Sequence, residues 1–243
     1  MNNCIHIDSL TKQYKDITAV NNLSLDINEG ELFALLGVNG AGKTTTIKML
    51  SCLTKPTSGD AYIYGYSINN DSDKIKEIIA LSMQETAIAR KLTVKENLEF
   101  IGKIYNLPKE ELQERINDLT KRFSLENVLN KQSSKLSGGW QRKLSIALAL
   151  LVKPKVLFLD EPTLGLDVLA RRELWDIIES LKGTITIILT THYLEEAEKL
   201  SDRIGIMING KLKKVGTCSE IEKETNTNNL EDAFVRVATQ GDK

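Results

Sequence analysis

The chain has 243 residues, enough for one large domain or two small ones, and 41% of them are apolar, enough to bury a core. Its 32 basic and 33 acidic side chains leave a net charge of −1, and aromatic residues make up only 5%, so it carries neither the basic footprint nor the stacking row of a nucleic-acid binder. The longest apolar stretch, Leu144 to Leu159, is broken by Lys153-Pro154-Lys155 and falls short of a membrane span, and Met1 to His6 has neither part of a signal peptide, so a cytoplasmic location is expected.

In chain order, Ile5 to Ile7, Leu23 to Ile27 and Leu32 to Leu36 read as strands. His6 is expected on a strand face without chemistry of its own. The third strand runs into Gly37-Val38-Asn39-Gly40-Ala41-Gly42-Lys43-Thr44, which fits G-x-x-x-x-G-K-[ST], and the residues from Thr45 to Ser51 open a helix. Strand, glycine loop and helix is the context this motif needs. The glycines let successive N–H groups turn toward an anion, and the helix start adds its partial positive charge. Lys43 is placed to reach the β- and γ-phosphates of a nucleotide, and the Thr44 hydroxyl to ligate Mg²⁺. Asp60 to Tyr64 and Ile79 to Met83 are further short strands, the second ending at Gln84.

The middle of the chain is helical. Thr93 and Glu96 form a capping box that opens a helix to about Tyr105. Pro108 suits a first helical position, and Leu112, Ile116 and Leu119 recur at helical spacing up to Phe123. The charged residues Lys109, Glu110, Glu111, Glu114 and Arg115 are expected to form a solvated face. Leu136-Ser137-Gly138-Gly139 then precedes an apolar helix, and a serine with two glycines at a helix start is a second anion site. Placed at the far end of a helical insertion, it cannot easily reach phosphates held by its own chain, which suggests that it serves the nucleotide of another copy.

From Lys153 the α/β alternation resumes. Val156 to Leu159 reads as a buried strand ending in Asp160 and Glu161. Phosphate-loop enzymes need a carboxylate at the end of a neighbouring strand to hold Mg²⁺, and Asp160 supplies it. Successive side chains diverge at a strand end, so Glu161 can face the attacking water as general base. A helix over Ala170 to Leu181, a strand over Thr184 to Thr190 and a helix over Tyr193 to Leu200 follow, then two strands flanking the hairpin turn Asn209-Gly210. Beyond Thr217 the tail is polar, with a short helix expected over Asn229 to Val237. The three cysteines, Cys4, Cys52 and Cys218, are scattered and read as reduced thiols without a role.

With these strings in place, the chain resembles the ATP-binding subunit of ATP-binding cassette (ABC) transporters over nearly its whole length, to about Gly216. Glycine loops are shared by many families; the Leu136-Ser137-Gly138-Gly139 signature between that loop and the strand ending at Asp160 and Glu161 is specific to this one. The resemblance implies that Tyr14 stacks on adenine and that Gln84 contacts Mg²⁺ and the water on a loop that also touches the transport partner. It further implies that Asp167 lies on a loop crossing a dimer interface and that His192 holds the γ-phosphate. The ATP contacts it implies in one chain are Tyr14 and the run Gly37, Val38, Asn39, Gly40, Ala41, Gly42, Lys43, Thr44 and Thr45, with Thr44, Gln84 and Asp160 at the metal. Ser137, Gly138 and Gly139 would bind the partner's ATP. Trp140 departs from the family, which usually has Gln or Met after the second signature glycine; packing against the insertion or against the sugar are its two readings.

The expected fold is α/β, a P-loop NTPase core of mainly parallel strands with an N-terminal antiparallel β subdomain and an inserted α-helical subdomain. It is one domain over 1–243, with the helical subdomain at about 86–150 and the tail at about 217–243. The resemblance implies an ATPase using ATP and Mg²⁺, forming a head-to-tail dimer with a second copy or a homologous subunit. It would sit on the inner face of the membrane against a separately encoded integral-membrane permease, with no nucleic-acid partner. The stretch from Glu161 to Asp167 resembles bacterial export-type cassettes for drugs, sodium or polymers. A soluble cassette of the iron–sulphur assembly type shares every motif. A small-molecule kinase shares only the phosphate loop.

Overall fold

The computed structural model describes residues 3–240. Residues 241–243, the end of the polar tail, lie outside the described residues, as do 1 and 2. Two sheets organise the rest. The first is antiparallel, in the order β2-β1-β4-β5, from β1 (Asn3–Tyr14), β2 (Ile17–Asn28), β4 (Ser58–Ile63) and β5 (Tyr66–Ser67). The second has the order β10-β9-β3-β8-β7-β6 and comprises β3 (Leu32–Leu36), β6 (Ile79–Ser82), β7 (Val156–Asp160), β8 (Thr186–Thr191), β9 (Arg203–Ile208) and β10 (Lys211–Gly216). All its pairings are parallel except β9 with β10, the hairpin at Asn209-Gly210.

The parallel strands read as unbroken apolar runs because both faces are covered. Phe33, Leu35, Val156, Phe158 and Ile188 face the antiparallel sheet and α1 (Lys43–Leu50). Leu157, Leu159, Ile187 and Leu189 share the opposite apolar cluster with the helices. The strand alternation thus divides one sheet between two cores. Ala34, Leu36, Ile204, Ile206 and Ile208 join a third, under the C-terminal helices α8 (Cys218–Thr225) and α9 (Leu230–Gln240).

Between β6 and β7 lie α3 (Val94–Ile104), α4 (Lys109–Arg122) and α5 (Gly138–Leu150). The capping box forms as expected, with Glu96 N–H donating to Thr93 Oγ1 and Thr93 N–H to Glu96 Oε2. Pro108 is the residue that caps α4, one position before its first turn. The α4 face is not uniformly solvated: the Arg115 side chain is 13% exposed and donates to Leu151 O and Glu111. The helical segment shares one apolar cluster with the sheet, since Leu144, Ala147 and Leu148 of α5 pack with Leu157 and Leu159.

Several elements differ from the sequence reading. β1 and β2 are longer, because bulges interrupt their alternation between Ile7 and Gln13. The helix α2 (Ser72–Ile78) was not anticipated, nor was α8, although Thr217 and Glu220 form a capping box there. α6 (Val168–Glu179) starts two residues earlier than expected, β8 starts at Thr186 and runs through Thr191, and α7 spans Leu194–Leu200.

Candidate functional site

The glycine loop joins β3 to α1 and is wedged between the two sheets. Gly40 and Gly42 have φ of 82° and 105°, left-handed geometry that favours glycine. A Cβ on Gly42 would lie 2.3 Å from Ala19 O, and one on Gly37 would lie 2.4 Å from Met207 O. At Gly37 and Gly42 the loop therefore has room for backbone alone, and its N–H groups lead into a helix start with no acidic residue in its first turn. Lys43 is 5% exposed. Its ammonium donates to Gly37 O at 2.7 Å and Val38 O at 3.2 Å and lies 3.2 Å from Glu161 Oε1.

The two acids follow the next strand but one. Asp160 ends β7 fully buried, and its Oδ1 accepts from Thr44 Oγ1 at 3.0 Å and Thr190 Oγ1 at 2.6 Å. Its Oδ2 is buried with no hydrogen-bond partner. On a regular strand Glu161 would point away from Asp160. Instead its φ of 49° puts it in the left-handed region, which turns the side chain back toward the loop. The kink is pinned by Glu161 N–H, 3.1 Å from both Thr190 O and Thr190 Oγ1. Glu161 Oε2 then meets His192 Nδ1 at 2.7 Å, just beyond β8.

Around these groups is a cavity of about 510 Å³. Asn39 to Thr45 form one wall; Tyr14, Gln84, Glu161 and His192 form the others. Tyr14 is exposed at the end of β1, with the Lys12 ammonium 4.9 Å from its ring centroid. Gly37 and Val38 instead border an adjoining cavity of about 300 Å³ shared with His192, Leu194 and Phe234 of α9. A hollow of about 600 Å³ between α6 and α7 is larger, but its walls are mixed charges over buried Trp175, with no glycine loop. Thr44 hydroxyl, Asp160 carboxylate and Gln84 amide are hard oxygen donors, and the unpartnered Asp160 Oδ2 leaves acceptor capacity for a divalent cation.

Ser137, Gly138, Gly139 and Asp167 are not brought to this cavity. Ser137 and Gly138 are exposed at the start of α5, and the Ser137 side chain makes no capping bond. Asp167 caps α6, accepting from Leu169 N–H and Ala170 N–H, both at 3.0 Å. The two helix starts lie side by side, for a Cβ on Gly139 would be 3.1 Å from Ala170 Cβ. Trp140 packs against the helical cluster, and the Lys143 ammonium lies 4.7 Å from its ring while pairing with Glu173 of α6 at 2.7 Å. Trp140 thus packs on its own subdomain, the first of its two readings.

Three residues around the site were missed from sequence. Thr190 orders both acids. Glu196 of α7 is 1% exposed and accepts from Thr163 Oγ1 at 2.7 Å and Trp175 Nε1 at 3.0 Å. Burial pushes its carboxyl above the usual range, against the pull of hydrogen bonds from Thr191, Thr163 and Trp175. Arg142 of α5 reaches the loop that carries Gln84. Only strand adjacency and helix facing reveal these roles.

A family profile described as ABC transporter matches residues 20–164. The chain is 38% identical to the daunorubicin resistance ATP-binding protein DrrA3 of Streptomyces coeruleorubidus, over 97% of this chain and 75% of that protein. It is 44% identical to the human phospholipid-transporting ATPase ABCA3 over 88% of this chain, but spans only 13% of that protein's length. Among solved structures it is similar to the dimeric cassette MJ0796 in a post-hydrolysis state bound to ADP and Pi, with a TM-score of 0.79, 29% identity, and coverage of 88% of this chain and 98% of that one.

Proposed function

The chain belongs to the ABC transporter family, and we propose that it is the subunit that hydrolyses ATP to drive transport through a separate integral-membrane permease. The observation that carries this reading is the Glu161 carboxylate, held between the Lys43 ammonium and His192 at the mouth of a glycine cradle. The cradle's N–H groups receive the β- and γ-phosphates. Lys43 then exchanges its carbonyl acceptors and Glu161 for phosphate oxygens, which frees the carboxylate. Glu161 takes a proton from water as the water oxygen bonds to the γ-phosphorus and the bond to ADP breaks. His192, hydrogen-bonded to Glu161, fixes the direction of that carboxylate and faces the γ-phosphate. A Mg²⁺ ion held through Thr44, Gln84 and Asp160 neutralises phosphate charge when bound.

Tyr14, exposed at the cavity rim, is placed to cover the adenine. Ser137, Gly138 and Gly139 bind the ATP of a second copy or of a homologous subunit in a head-to-tail dimer, and Asp167 lies on the loop between the two. A solved relative is a dimer, which supports this arrangement. The Gln84 loop touches the permease, which holds the subunit on the cytoplasmic face of the membrane. Outward transport is the direction that a drug-resistance relative's name supports. The test is ATP turnover by the purified protein with its permease. Lys43→Ala is expected to lower it by about 10²–10³, the range for losing a preorganised donor to developing negative charge. An unchanged rate would remove Lys43 from the site.

A further inference from the structure

Arg142 is 4% exposed, and among the described residues it pairs with no carboxylate. Its guanidinium donates instead to two main-chain carbonyls, Met83 O at 2.6 Å and Gln84 O at 2.5 Å. Burial without an ion pair is an unusual place for an arginine, whose fork is suited to paired anionic oxygens. Burial lowers its pKa, and Asp160 and Glu196 draw it back up from a distance. The acceptors lie just beyond β6, where the chain enters the irregular stretch before α3. Ser82 at the end of β6 also hydrogen-bonds Ser145 of α5, at 3.1 Å. One helix therefore grips three successive residues of the other segment: Ser82, Met83 and Gln84. Ser137 sits at the N-cap position of that helix, just before its first turn.

We propose that Arg142 is a positioning residue that ties Gln84 of one nucleotide site to the Ser137 end of α5, so that occupation of the opposite site sets Gln84 in its own. The inference rests on the proposed function, since it takes Ser137 to contact a second copy's nucleotide. α5 is a continuous helix, so displacement of its first turn carries Arg142 with it. The two bonds to Met83 O and Gln84 O transmit that displacement to the backbone from which the exposed Gln84 side chain reaches the cavity. Two bonds to consecutive carbonyls from one rigid, planar guanidinium fix both the position and the tilt of the peptide, which the flexible stem of a lysine does not preorganise.

The test uses Arg142→Gln and Arg142→Lys in the full chain with two readouts. In nucleotide-free protein, hydrogen–deuterium exchange over residues 83–90 is expected to rise several-fold in Arg142→Gln, less in Arg142→Lys, with β3, β7 and β8 unchanged. A uniform rise across the strands, or none at 83–90, overturns the proposal. The second readout is a double-mutant cycle in ATP turnover with Mg²⁺. Arg142→Gln is expected to lower turnover about 10-fold in the parent, the usual scale for an outer-shell partner, and less than about 2-fold when Gln84→Ala is already present. Equal losses in both backgrounds overturn the inference while leaving the ATPase reading intact. A parent that turns over no ATP refutes the proposed function instead, and the exchange readout still reports whether Arg142 holds the loop.

Discussion

Two helix starts in this chain suit an anion, and they are built in opposite ways. At α1 the walls of the loop are fitted: Gly37 and Gly42 have no room for a Cβ, Gly40 is open but turns at a φ of 82°, and Lys43 is buried against two carbonyls and Glu161. At α5 the parts are loose: a Cβ on Gly138 would meet nothing within 4 Å, and Ser137 is exposed with no capping bond. Gly37 and Gly42 are required by the chain's own packing. Gly138 is not, so its reason must be sought in whatever approaches from outside. A site finished within one molecule and a site left open at its surface are what the proposed head-to-tail dimer requires.

The sharpest test of the finished half is Glu161→Gln. It is expected to keep nucleotide binding and cut turnover by about 10²–10⁴, the range for losing a general base, measured as steady-state phosphate release. A parental rate would move the base elsewhere. Next come paired glycine substitutions. Gly42→Ala forces a Cβ against Ala19 O at a positive φ and should cost about 2–3 kcal/mol in urea unfolding. Gly138→Ala, free of contacts and on a helix, should stabilise the isolated chain by roughly 0.5–1 kcal/mol while weakening the proposed ATP-dependent dimer, measured by size-exclusion chromatography. If both alanines destabilise equally, the contrast between the two helix starts fails.

Thr190→Val removes the donor that orders Asp160 and the acceptor that pins the Glu161 kink. Turnover should fall about 10-fold, with a raised Mg²⁺ requirement; an unchanged Mg²⁺ profile would separate Thr190 from the metal. The smallest effect is expected at Glu196, whose folded-state carboxyl titrates above the ordinary glutamate value of about 4.3. The folded state then binds more protons than the unfolded one above that pH, so stability falls as pH rises toward the folded-state value. Glu196→Gln keeps an acceptor for Thr163 and Trp175 without this penalty. Its Tm relative to the parent should increase as pH is raised from 4; a constant difference would show that Glu196 does not titrate in that interval.

The features legible in sequence are those with local causes: a glycine loop between strand and helix, the Thr93 and Glu96 capping box, the Asn209-Gly210 turn, and the acid pair after an apolar strand. The residues that were missed depend on which elements become neighbours. Thr190 matters because β8 lies beside β7, and Arg142 because α5 crosses the end of β6. Arg115 resembles a surface charge in sequence, yet its long stem carries the guanidinium to Leu151 O. α2 buries only Ile75, too little for a periodic signal. The α8 capping box was present in the sequence, at Thr217 and Glu220, but was masked by the polarity around it.

The hairpin turn far along the chain completes the phosphate loop. Gly210 N–H donates to Ala41 O at 3.0 Å, and Gly210 O accepts from Asn21 N–H at 2.8 Å, while Ala19 and Met207 crowd Gly42 and Gly37. Segments around 19–21, 37–42 and 207–210 must therefore meet before the loop has its shape. The nucleotide cradle therefore has its native shape only when the β9–β10 hairpin is docked against it. A fragment ending before the hairpin keeps the Gly37-to-Thr44 string but not its curvature, and retention on immobilised ATP reports that the whole chain, and not the motif alone, has reached its native state.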